Sequence, residues 1–495
     1  MYIRSEPIVL SIDIGSSSVK GLAYDQNGQA LPGIRARVSC GLSHSDDGGA
    51  EANLARITQA VDQVLDALHV RSGSREVLGV AFTSIASSLV ALDRHQQPVL
   101  PVLTYADTRS VPALGQLQPD PGRVNRTGCP DYTAYWTAQI PWWRSAFGME
   151  ATTWCNIADH VLWRYFGGTV RTSYSLASWT GLLNRHLLRW DPDLLNQLHL
   201  SEDQLPLLDD HTAAHRHLGA EYAHRWPKFA HIPFFPALGD GAAANVGSAA
   251  TRMDTVALTV GTTSALRAVV PSRLPSIPAG LWSYLVDEDH ALLGGALTEG
   301  GNIHQWMRES LNLGPWNELE KRVAEIEPDS HGLTFVPSFS GERSPNYNPQ
   351  ATGTLHGLKL STHPHQIVRA GMEGIAYRLA DIARRLRPSL GAAPTYVASG
   401  QAILSSNLWL QMLSDVLGAP VVVTDVPDEA TARGAALMAL KALNILDPFE
   451  LPERMVTAAF EPRPHIHDIY QQALRRQMQL IEALTPRNQF SETLA

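Results

Sequence analysis

Residues 8–24 read IVLSIDIGSSSVKGLAY, and residues 254–270 read DTVALTVGTTSALRAVV. Each stretch is an apolar run that ends at a glycine, continues with three hydroxyl residues and becomes apolar again. Gly15 and Gly261 are 246 positions apart, about half of the 495-residue chain. Apolar runs on both sides of a short polar break are typical of β-hairpins. The sequence therefore predicts two related α/β domains facing each other across a cleft, although two unrelated hairpins can also look alike.

The composition is that of a globular protein with two domains. The chain has 44% hydrophobic and 18% charged residues, which are ordinary values. Its length exceeds what one hydrophobic core supports, so we expect two domains, residues 1–248 and 249–495. The net charge of −9 and the lack of a long basic run argue against a nucleic-acid partner.

The sequence also predicts a cytoplasmic location. Residues 1–15 lead directly into a strand-like run, without the apolar segment and cleavage site of a signal peptide. No stretch reaches the roughly 18 uninterrupted apolar residues that a membrane span requires. Cys40, Cys129 and Cys155 are odd in number and scattered, which fits neither a disulfide framework nor a zinc site. We therefore expect no membrane partner.

Hydrophobic periodicity and turn residues predict the order of the elements. Strands are expected at 8–13, 19–24, 34–38, 76–82, 255–260, 265–270, 291–294 and 395–398, and helices at 50–67, 303–311, 364–386, 406–417, 431–442 and 467–484. The segment 142–198 is expected to be mostly helical. The helix near 431–442 contains ARGAALMALKAL, whose small residues permit close packing against a neighbour.

The two glycine-and-hydroxyl turns suit the binding of an anion. They present successive backbone N–H groups beside small hydroxyl donors, a combination that forms phosphate-binding concavities. Their residues are Gly15, Ser16, Ser17 and Ser18 in the first turn and Gly261, Thr262, Thr263 and Ser264 in the second. Two such turns on one cleft can hold a polyphosphate from both sides. Lys20 adds a positive charge nearby, although a lone lysine is also explained as a solvated surface group.

The two copies differ where the first strand ends, because Asp13 corresponds to Thr259. A carboxylate at the end of a buried strand costs several kcal/mol to desolvate unless a partner neutralises it. Beside a phosphate turn the natural partner is Mg²⁺, held largely through water. We therefore predict that Asp13 is the metal ligand. The alternative is that Asp13 accepts hydrogen bonds from its own turn.

A third stretch, PALGDGAAANVGS at 236–248, contains a candidate general base. Asp240 lies between two glycines at an expected helix N-cap, and three alanines follow it, so that other groups can approach closely. Phosphoryl transfer to an alcohol needs a carboxylate that orients the hydroxyl and accepts its proton. Asp240 is predicted to be that base, with a purely capping role as the alternative.

With these segments the chain resembles the FGGY carbohydrate kinases, which are ATP-dependent sugar kinases of the actin-like, ribonuclease-H-like fold. The resemblance covers nearly the whole chain and rests on five segments that occur in the family's order. They are DIGSSSVKG at 13–21, GDGAAANVG at 239–247, VGTTSALR at 260–267, GERSPNYNPQATGTLHGL at 341–358 and SGQAILSSNLWLQMLSDVLGAPV at 399–421. The resemblance implies two duplicated actin-like domains, ATP and Mg²⁺ as cofactors, and a small sugar or sugar acid as substrate. Family analogy also suggests a homodimer.

The segment from 399 onward matches the family's adenosine-binding region. Gly400 would leave room for a flat base, Gln401 stands where the family has a second glycine, and Gly301 matches a glycine near the nucleotide. Ser405 and Ser406 can cap the following helix. Trp409 and Trp306 are better explained by core packing than by contact with the base.

Several segments are most similar to the gluconokinases of this family: YADTRS at 105–110, RTGCP at 126–130 and SLASWTGLLN at 175–184. Asp107 and Arg109 would then face the sugar, with a salt-bridged loop pair as the alternative. Ala86 and Ser87 occupy the family's substrate loop, where an aromatic residue or Met followed by His is common. Gln139 replaces a usual lysine, and Thr352 replaces the arginine of the family signature.

These features predict a kinase that transfers the γ-phosphoryl group of ATP to gluconate or a related open-chain sugar acid. A ketose kinase similar to the xylulokinases is the alternative within the same chemistry. A sugar- or nucleotide-binding regulator that has lost activity would explain the departures at Ala86, Ser87, Gln139, Thr352 and Gln401. The presence of both Asp13 and Asp240 argues against such a regulator.

Overall fold

A computed structural model describes residues 6–99, 102–391, 393–425, 429–452 and 454–485. The first half of the chain forms a sheet whose strands lie in the order Ala30–Ser39, Ser18–Tyr24, Ile8–Ile14, Val77–Ser84 and Leu238–Gly239. The second half forms a sheet in the order Trp282–Leu285, His290–Leu297, Ser264–Pro271, Thr255–Val260, Thr395–Ser399, Val421–Thr424 and Val456–Phe460.

The two sheets share one topology. In each sheet, the two strands of the glycine-centred hairpin are antiparallel, and a third strand pairs antiparallel with the second strand of the hairpin. On the other side, a further strand pairs parallel with the first strand of the hairpin, and one more pairs parallel with that added strand. The second sheet has an additional antiparallel strand at either edge, Trp282–Leu285 and Val456–Phe460. The repeated order confirms the prediction of two duplicated actin-like α/β domains.

Smaller strands and the helices surround these sheets. The short strands are Leu42–His44, Ala50–Ala52, Val90–Leu92, Val102–Leu103, Thr153–Cys155, Arg171–Ser173, Leu183–Asn184, Arg189–Trp190, Leu207–Asp209, Thr334–Val336 and Thr354–His356. The α-helices are Leu54–Arg71, Arg123–Thr127, Trp136–Phe147, Ile157–Phe166, Tyr174–Ser178, Pro192–Gln197, Ala220–Arg225, Asp240–Gly247, Gly301–Ser310, Trp316–Ala324, Pro364–Leu386, Gln401–Leu404, Asn407–Leu417, Ala430–Ala442 and Pro464–Leu484. Among the described residues, no helix has both the length and the apolar character to cross a membrane.

Two secondary-structure predictions were wrong. The helix expected from residue 50 begins only at Leu54, because residues 50–52 pair as a strand and Asn53 caps the helix by accepting from the Arg56 N–H. The segment 142–198 is not mostly helical, since short strands interrupt its helices. Its apolar and tryptophan-rich composition reflects burial in the core, which does not by itself select a helix.

The helix Ala430–Ala442 belongs to the second half of the sequence but packs against the first sheet. It contacts the strands Ile8–Ile14 and Val77–Ser84 and crosses the helix Asp240–Gly247. A Cβ added at Gly434 would lie 1.8 Å from the Ala243 carbonyl oxygen. The predicted close packing of this small-residue helix is therefore confirmed, and the contact is made between helix backbones.

Arg433 fixes the same helix to the first half through backbone carbonyls. Its Nε donates to the Gly28 carbonyl at 3.0 Å, and its Nη1 donates to the Gly247 carbonyl at 2.5 Å. Gly28 has φ 70° in the predicted turn after the second strand, and this turn lies against Leu437. The predicted boundary at 248/249 remains a prediction, but the two halves share this packed region.

The helix crossing predicts a large effect of one methyl group. Gly434→Ala would force the two helix backbones apart, and we expect a loss of about 1–3 kcal/mol in the free energy of unfolding. Urea denaturation followed by circular dichroism measures this change. Gly314→Ala is the matched control, because a Cβ at Gly314 meets no atom within 4 Å. Equal stability of the two variants would contradict the tight crossing.

Candidate active site

The two predicted phosphate turns have nearly the same local structure. Each connects a strand to its antiparallel partner through three residues, 15–17 in the first half and 261–263 in the second. The Gly15 N–H donates to the Ser18 carbonyl at 3.1 Å, and the Gly261 N–H donates to the Thr263 carbonyl at 2.9 Å. Ser18 and Ser264 are buried, so the part of each turn that faces solvent is the segment before them.

The central N–H groups of both turns are available to a ligand. Within the described chain, the N–H groups of Ser16, Ser17, Thr262 and Thr263 form no hydrogen bond with the protein. Adjacent free N–H groups at a tight turn attract anions. The arrangement therefore has the donors that phosphate oxygens require.

Gly301 and Gly400 both pack against Gly261. A Cβ at Gly301 would lie 2.8 Å from the Gly261 carbonyl oxygen, and one at Gly400 would lie 2.5 Å from the Val260 carbonyl oxygen. Gly400 also has φ 96°, which favours glycine. This close backbone contact beside the second turn is a further reason for a glycine at this position, and room for a base remains a prediction. Gln401 is exposed and begins the short helix that follows.

A cavity of about 290 Å³ lies between the two halves. Ala86, Ser87 and Asp240 line it from the first half, and Thr263 and Ser264 of the second turn line it from the other side. The first turn adjoins the same cavity, because Tyr105 of the lining interacts with the Ser16 hydroxyl. The structure thus brings the predicted base and both turns to one place.

Asp240 lies at the first position of its helix. The N-cap is Gly239 rather than Asp240, a difference of one residue from the prediction, and Asp240 Oδ1 accepts from the Gly241 N–H at 2.8 Å. Burial raises the pKa of Asp240, while Arg267, the backbone of Gly241 and Ala86, and Arg343 act in the opposite direction. Asp240 lines the cavity together with Arg267 and Arg343, whose positive charges favour the ionised carboxylate that can accept a proton.

Asp13 is buried at the end of its strand. Burial raises its pKa to about 7; Lys20 opposes the shift, whereas Asp240 and Glu429 add to it. Among the described residues, no donor hydrogen-bonds to the Asp13 carboxylate, so its own turn does not neutralise it. The role of Asp13 as a metal ligand remains a prediction.

Lys20 forms an ion pair with a residue of the other half and is therefore not a free surface group. Its Nζ donates to Glu429 Oε2 at 2.7 Å. Because Glu429 precedes the helix Ala430–Ala442, this ion pair joins the two halves beside Asp13. A sequence motif that ends at Lys20 gives no sign of this distant carboxylate.

The structure places Asp107 and Arg109 outside the lining of the cavity. Arg109 Nη2 pairs with Asp107 Oδ2 at 2.6 Å and with Glu51 Oε1 at 2.7 Å, and its guanidinium lies 4.8 Å from the ring centre of Trp142. Asp107 also accepts from the Ala50 N–H. The salt-bridged loop pair, the alternative noted from the sequence, describes these two residues.

The predicted substrate loop does reach the cavity. Ser87 has φ 53°, an uncommon conformation for a residue with a side chain, and its hydroxyl donates to the Trp179 carbonyl at 3.0 Å. This bond fixes the loop beside Trp179, which also lines the cavity. Gln139 is fully buried and donates to the Thr104 carbonyl instead of facing a substrate.

Sequence reasoning gave no role to most of the aromatic lining. Trp179 stacks on Tyr284 with ring centres 3.6 Å apart. Trp282 also stacks on Tyr284, with ring centres 4.5 Å apart. Among the described residues, the buried indole N–H groups of Trp179 and Trp282 have no hydrogen-bond partner, and such unpaired donors are costly. Of these rings, only Trp179 belongs to a segment singled out from the sequence, SLASWTGLLN. The rings beside it, Trp282 and Tyr284, come from the other half of the chain, so the segment itself does not reveal them.

The two tryptophans expected in the core behave differently. Trp409 is 1% exposed, and Ser406 caps its helix by accepting from the Trp409 N–H at 3.1 Å, so both predictions are confirmed. Trp306 is 44% exposed and contacts Phe339 edge to face, so the prediction of core packing was wrong. The spacing of apolar residues in the helix Gly301–Ser310 did not show that Trp306 is on its solvent-facing side.

One other group of possible metal ligands, Asp329, His331 and Glu373, lies far along the chain from these turns. His331 Nδ1 accepts from the Leu333 N–H, and its Nε2 donates to Glu373 at 2.9 Å. Both ring nitrogens are therefore occupied. This cluster is explained as a buried ion-pair network.

Comparison with known proteins identifies relatives over almost the whole chain. Models of the N-terminal and C-terminal domains of the FGGY family of carbohydrate kinases match residues 8–247 and 256–443. A gluconokinase of Bacillus subtilis (strain 168) is 27% identical over 473 residues, which cover 92% of this chain and 91% of that protein.

Two solved structures have the same fold. The gluconate kinase from Lactobacillus acidophilus superposes with a TM-score of 0.89 at 24% identity, covering 99% of both chains. The ligand-bound xylulose kinase from the same organism gives a TM-score of 0.87 at 25% identity, covering 97% of this chain and 98% of that one. With both family models matched in order, the chain belongs to the FGGY family of carbohydrate kinases.

Proposed function

We propose that this protein transfers the γ-phosphoryl group of ATP to a hydroxyl group of gluconate or a related open-chain sugar acid. The observation that carries the proposal is the convergence of Asp240 and the second turn on one cavity, with the first turn adjoining it. Phosphoryl transfer depends on positioning and on charge stabilisation, and these groups supply both.

In the proposed reaction Asp240 accepts the proton of the attacking hydroxyl group. The hydroxyl oxygen forms a bond to the γ-phosphorus while the bond to the β-bridging oxygen breaks, and ADP leaves with that electron pair. The free N–H groups of Ser16, Ser17, Thr262 and Thr263 donate to phosphate oxygens. Closure of the two halves would exclude water, which otherwise would compete with the sugar.

Asp13 would hold Mg²⁺. Its buried carboxylate has no protein donor in the described chain, and a hard oxygen ligand of this kind suits Mg²⁺. When bound, the ion would neutralise charge on the nucleotide phosphates. Thr259, at the corresponding place, offers only a hydroxyl, so a single metal position is expected.

Two features support an acidic substrate. The relatives include proteins named gluconokinases, and the sugar side of the cavity contains Arg343. The electrostatic neighbours of Arg343 include Tyr132, Tyr135 and Tyr284, and it also acts on Asp240; a substrate carboxylate would be a second anion for its positive charge. The similarity to a xylulose kinase keeps a ketose as the alternative substrate.

Cys40, Cys129 and Cys155 are unpaired, which is consistent with a reducing cytoplasm.

Replacement of the proposed base tests the mechanism. Asp240→Asn should reduce kcat for sugar-dependent ADP release by about 10²–10⁴-fold, because the amide cannot accept the proton. ATP binding, measured by isothermal titration calorimetry, should persist. Near-normal turnover by the variant would remove Asp240 as the base.

The raised pKa of Asp13 predicts a pH-dependent metal affinity. Mg²⁺ competes with a proton for a carboxylate of pKa about 7, so the affinity should fall as the pH falls below this value. Between pH 8 and pH 6 we expect the apparent dissociation constant to rise about tenfold.

Calorimetric titration of Mg²⁺ into the ADP complex at both pH values measures this change. Asp13→Asn is the control, because an amide does not titrate. An equal pH dependence in the variant would show that another group, or ADP itself, causes the effect.

A substrate panel tests the acidic specificity. The wild-type protein should phosphorylate D-gluconate with a higher kcat/KM than xylulose, glycerol or D-glucitol, the neutral polyol related to gluconate. Release of ADP measures each rate. A preference for xylulose would assign the ketose alternative, and no release with any sugar would favour a regulator without kinase activity.

A further inference from the structure

Arg267 is a second cation of the cavity beside Arg343, and neither the motifs nor the proposed mechanism gives it a role. It lies on the strand Ser264–Pro271, two residues after Ala265, and both residues line the cavity. Alternate residues of a strand share one face, so the strand that leaves the second phosphate turn directs Arg267 into the transfer site.

The guanidinium of Arg267 is incompletely bonded. Its Nη1 donates to Thr259 Oγ1 at 3.4 Å, a long hydrogen bond, and its Nε is buried without a hydrogen-bond partner among the described residues. The position that a Cβ of Gly241 would occupy is 3.6 Å from this Nε and 3.2 Å from the Trp179 ring, so Arg267 lies close to the start of the Asp240 helix. Burial lowers the pKa of Arg267, and the proximity of Asp240 opposes that shift.

A guanidinium with a buried free donor is costly unless an anion completes it. Asp240 supplies one negative charge to the lining, but Arg267 and Arg343 together carry two positive charges in the same cavity. An incoming anion would balance them. Arg267 contacts Thr259, beside the second turn, and lies near the start of the Asp240 helix, and its electrostatic neighbours also include Arg343 and Tyr284.

The duplication gives this position a meaning. Thr259 corresponds to Asp13, the residue that would hold a metal cation in the first half. The second half has no carboxylate there and has the Arg267 guanidinium next to Thr259 instead. One half would thus recruit a cation, and the other half contains one.

We propose that the Arg267 Nε–H donates to an oxygen of the γ-phosphoryl group during its transfer, which makes Arg267 a catalytic residue of the reaction. The inference rests on the kinase function proposed above. As the bond to the sugar oxygen forms and the bond to ADP breaks, charge on the phosphoryl oxygens is stabilised by a donor already in place. Because the proposed contact is with the γ-phosphoryl group, we expect ADP alone not to make it.

Binding of a phosphoryl mimic tests the proposal without requiring turnover. The probe is ADP with Mg²⁺ and aluminium fluoride in the presence of D-gluconate, compared with ADP and Mg²⁺ alone. Aluminium fluoride should tighten nucleotide binding to the wild-type protein. In Arg267→Met this tightening should fall by about 10²-fold or more, with the affinity for ADP alone unchanged.

The kinetics should show the same selectivity. Arg267→Met should lower kcat about 10²–10³-fold and leave the KM for ATP nearly unchanged, because the contact exists only during transfer. Arg267→Lys keeps the charge on a similar stem and should recover part of both kcat and aluminium fluoride binding. If Arg267→Met does not fold, as judged by its thermal unfolding, the lysine variant carries the test, with a smaller loss in both measurements. Arg475→Met removes an exposed arginine far along the chain and should match the wild type.

The opposing outcomes are separable. A raised KM for gluconate with normal aluminium fluoride binding would assign Arg267 to the substrate carboxylate and overturn the proposal. Equal losses for ADP alone and for the mimic would indicate a structural role and also overturn it. Failure of the wild-type protein to bind ADP or to phosphorylate any sugar would overturn the proposed function itself.

Discussion

The contact between the backbones of two helices sets the geometry on which the site depends. The helix that begins at Asp240 and the helix Ala430–Ala442 approach so closely that a Cβ at Gly434 or Gly247 would overlap a carbonyl oxygen of the other helix. Dispersion attraction falls steeply as packed atoms separate. This crossing therefore fixes the distance between the two helices, one from each half. Asp240, at the start of one helix, and Glu429, just before the other, are positioned by it.

The duplicated hairpins explain both the symmetry and the asymmetry of the cavity. Each half contributes a short turn with free N–H groups, which are suited to the same kind of ligand. The side chains near the ends of the preceding strands differ, and in the proposed mechanism this difference would divide the chemistry between the halves. Asp13 is a buried carboxylate that would hold a cation, whereas Thr259 lies beside the Arg267 guanidinium. A triphosphate between the turns would therefore meet two sources of positive charge of different origin.

The sequence predicted what is encoded locally. The hairpins, the cap at Ser406, the close packing of the helix near 431–442 and the family follow from short patterns that the chain carries in order. The partner of Lys20 and the aromatic stack around Tyr284 could not be predicted, because each joins residues from different halves. For Asp107 and Arg109 the resemblance suggested the sugar side and their spacing in the chain suggested a loop ion pair, and the structure shows that ion pair.

The return of the helix Ala430–Ala442 to the first sheet has a consequence for how the chain folds. Val9, Tyr24 and Ala81 of the first half share one hydrophobic cluster with Ala436 and Leu437 of this helix. During synthesis the first half emerges from the ribosome long before those two residues exist. Its sheet can form early, but the face that Ala436 and Leu437 cover stays exposed until this helix has been made. The core of the first half is therefore completed only by residues that the ribosome adds much later.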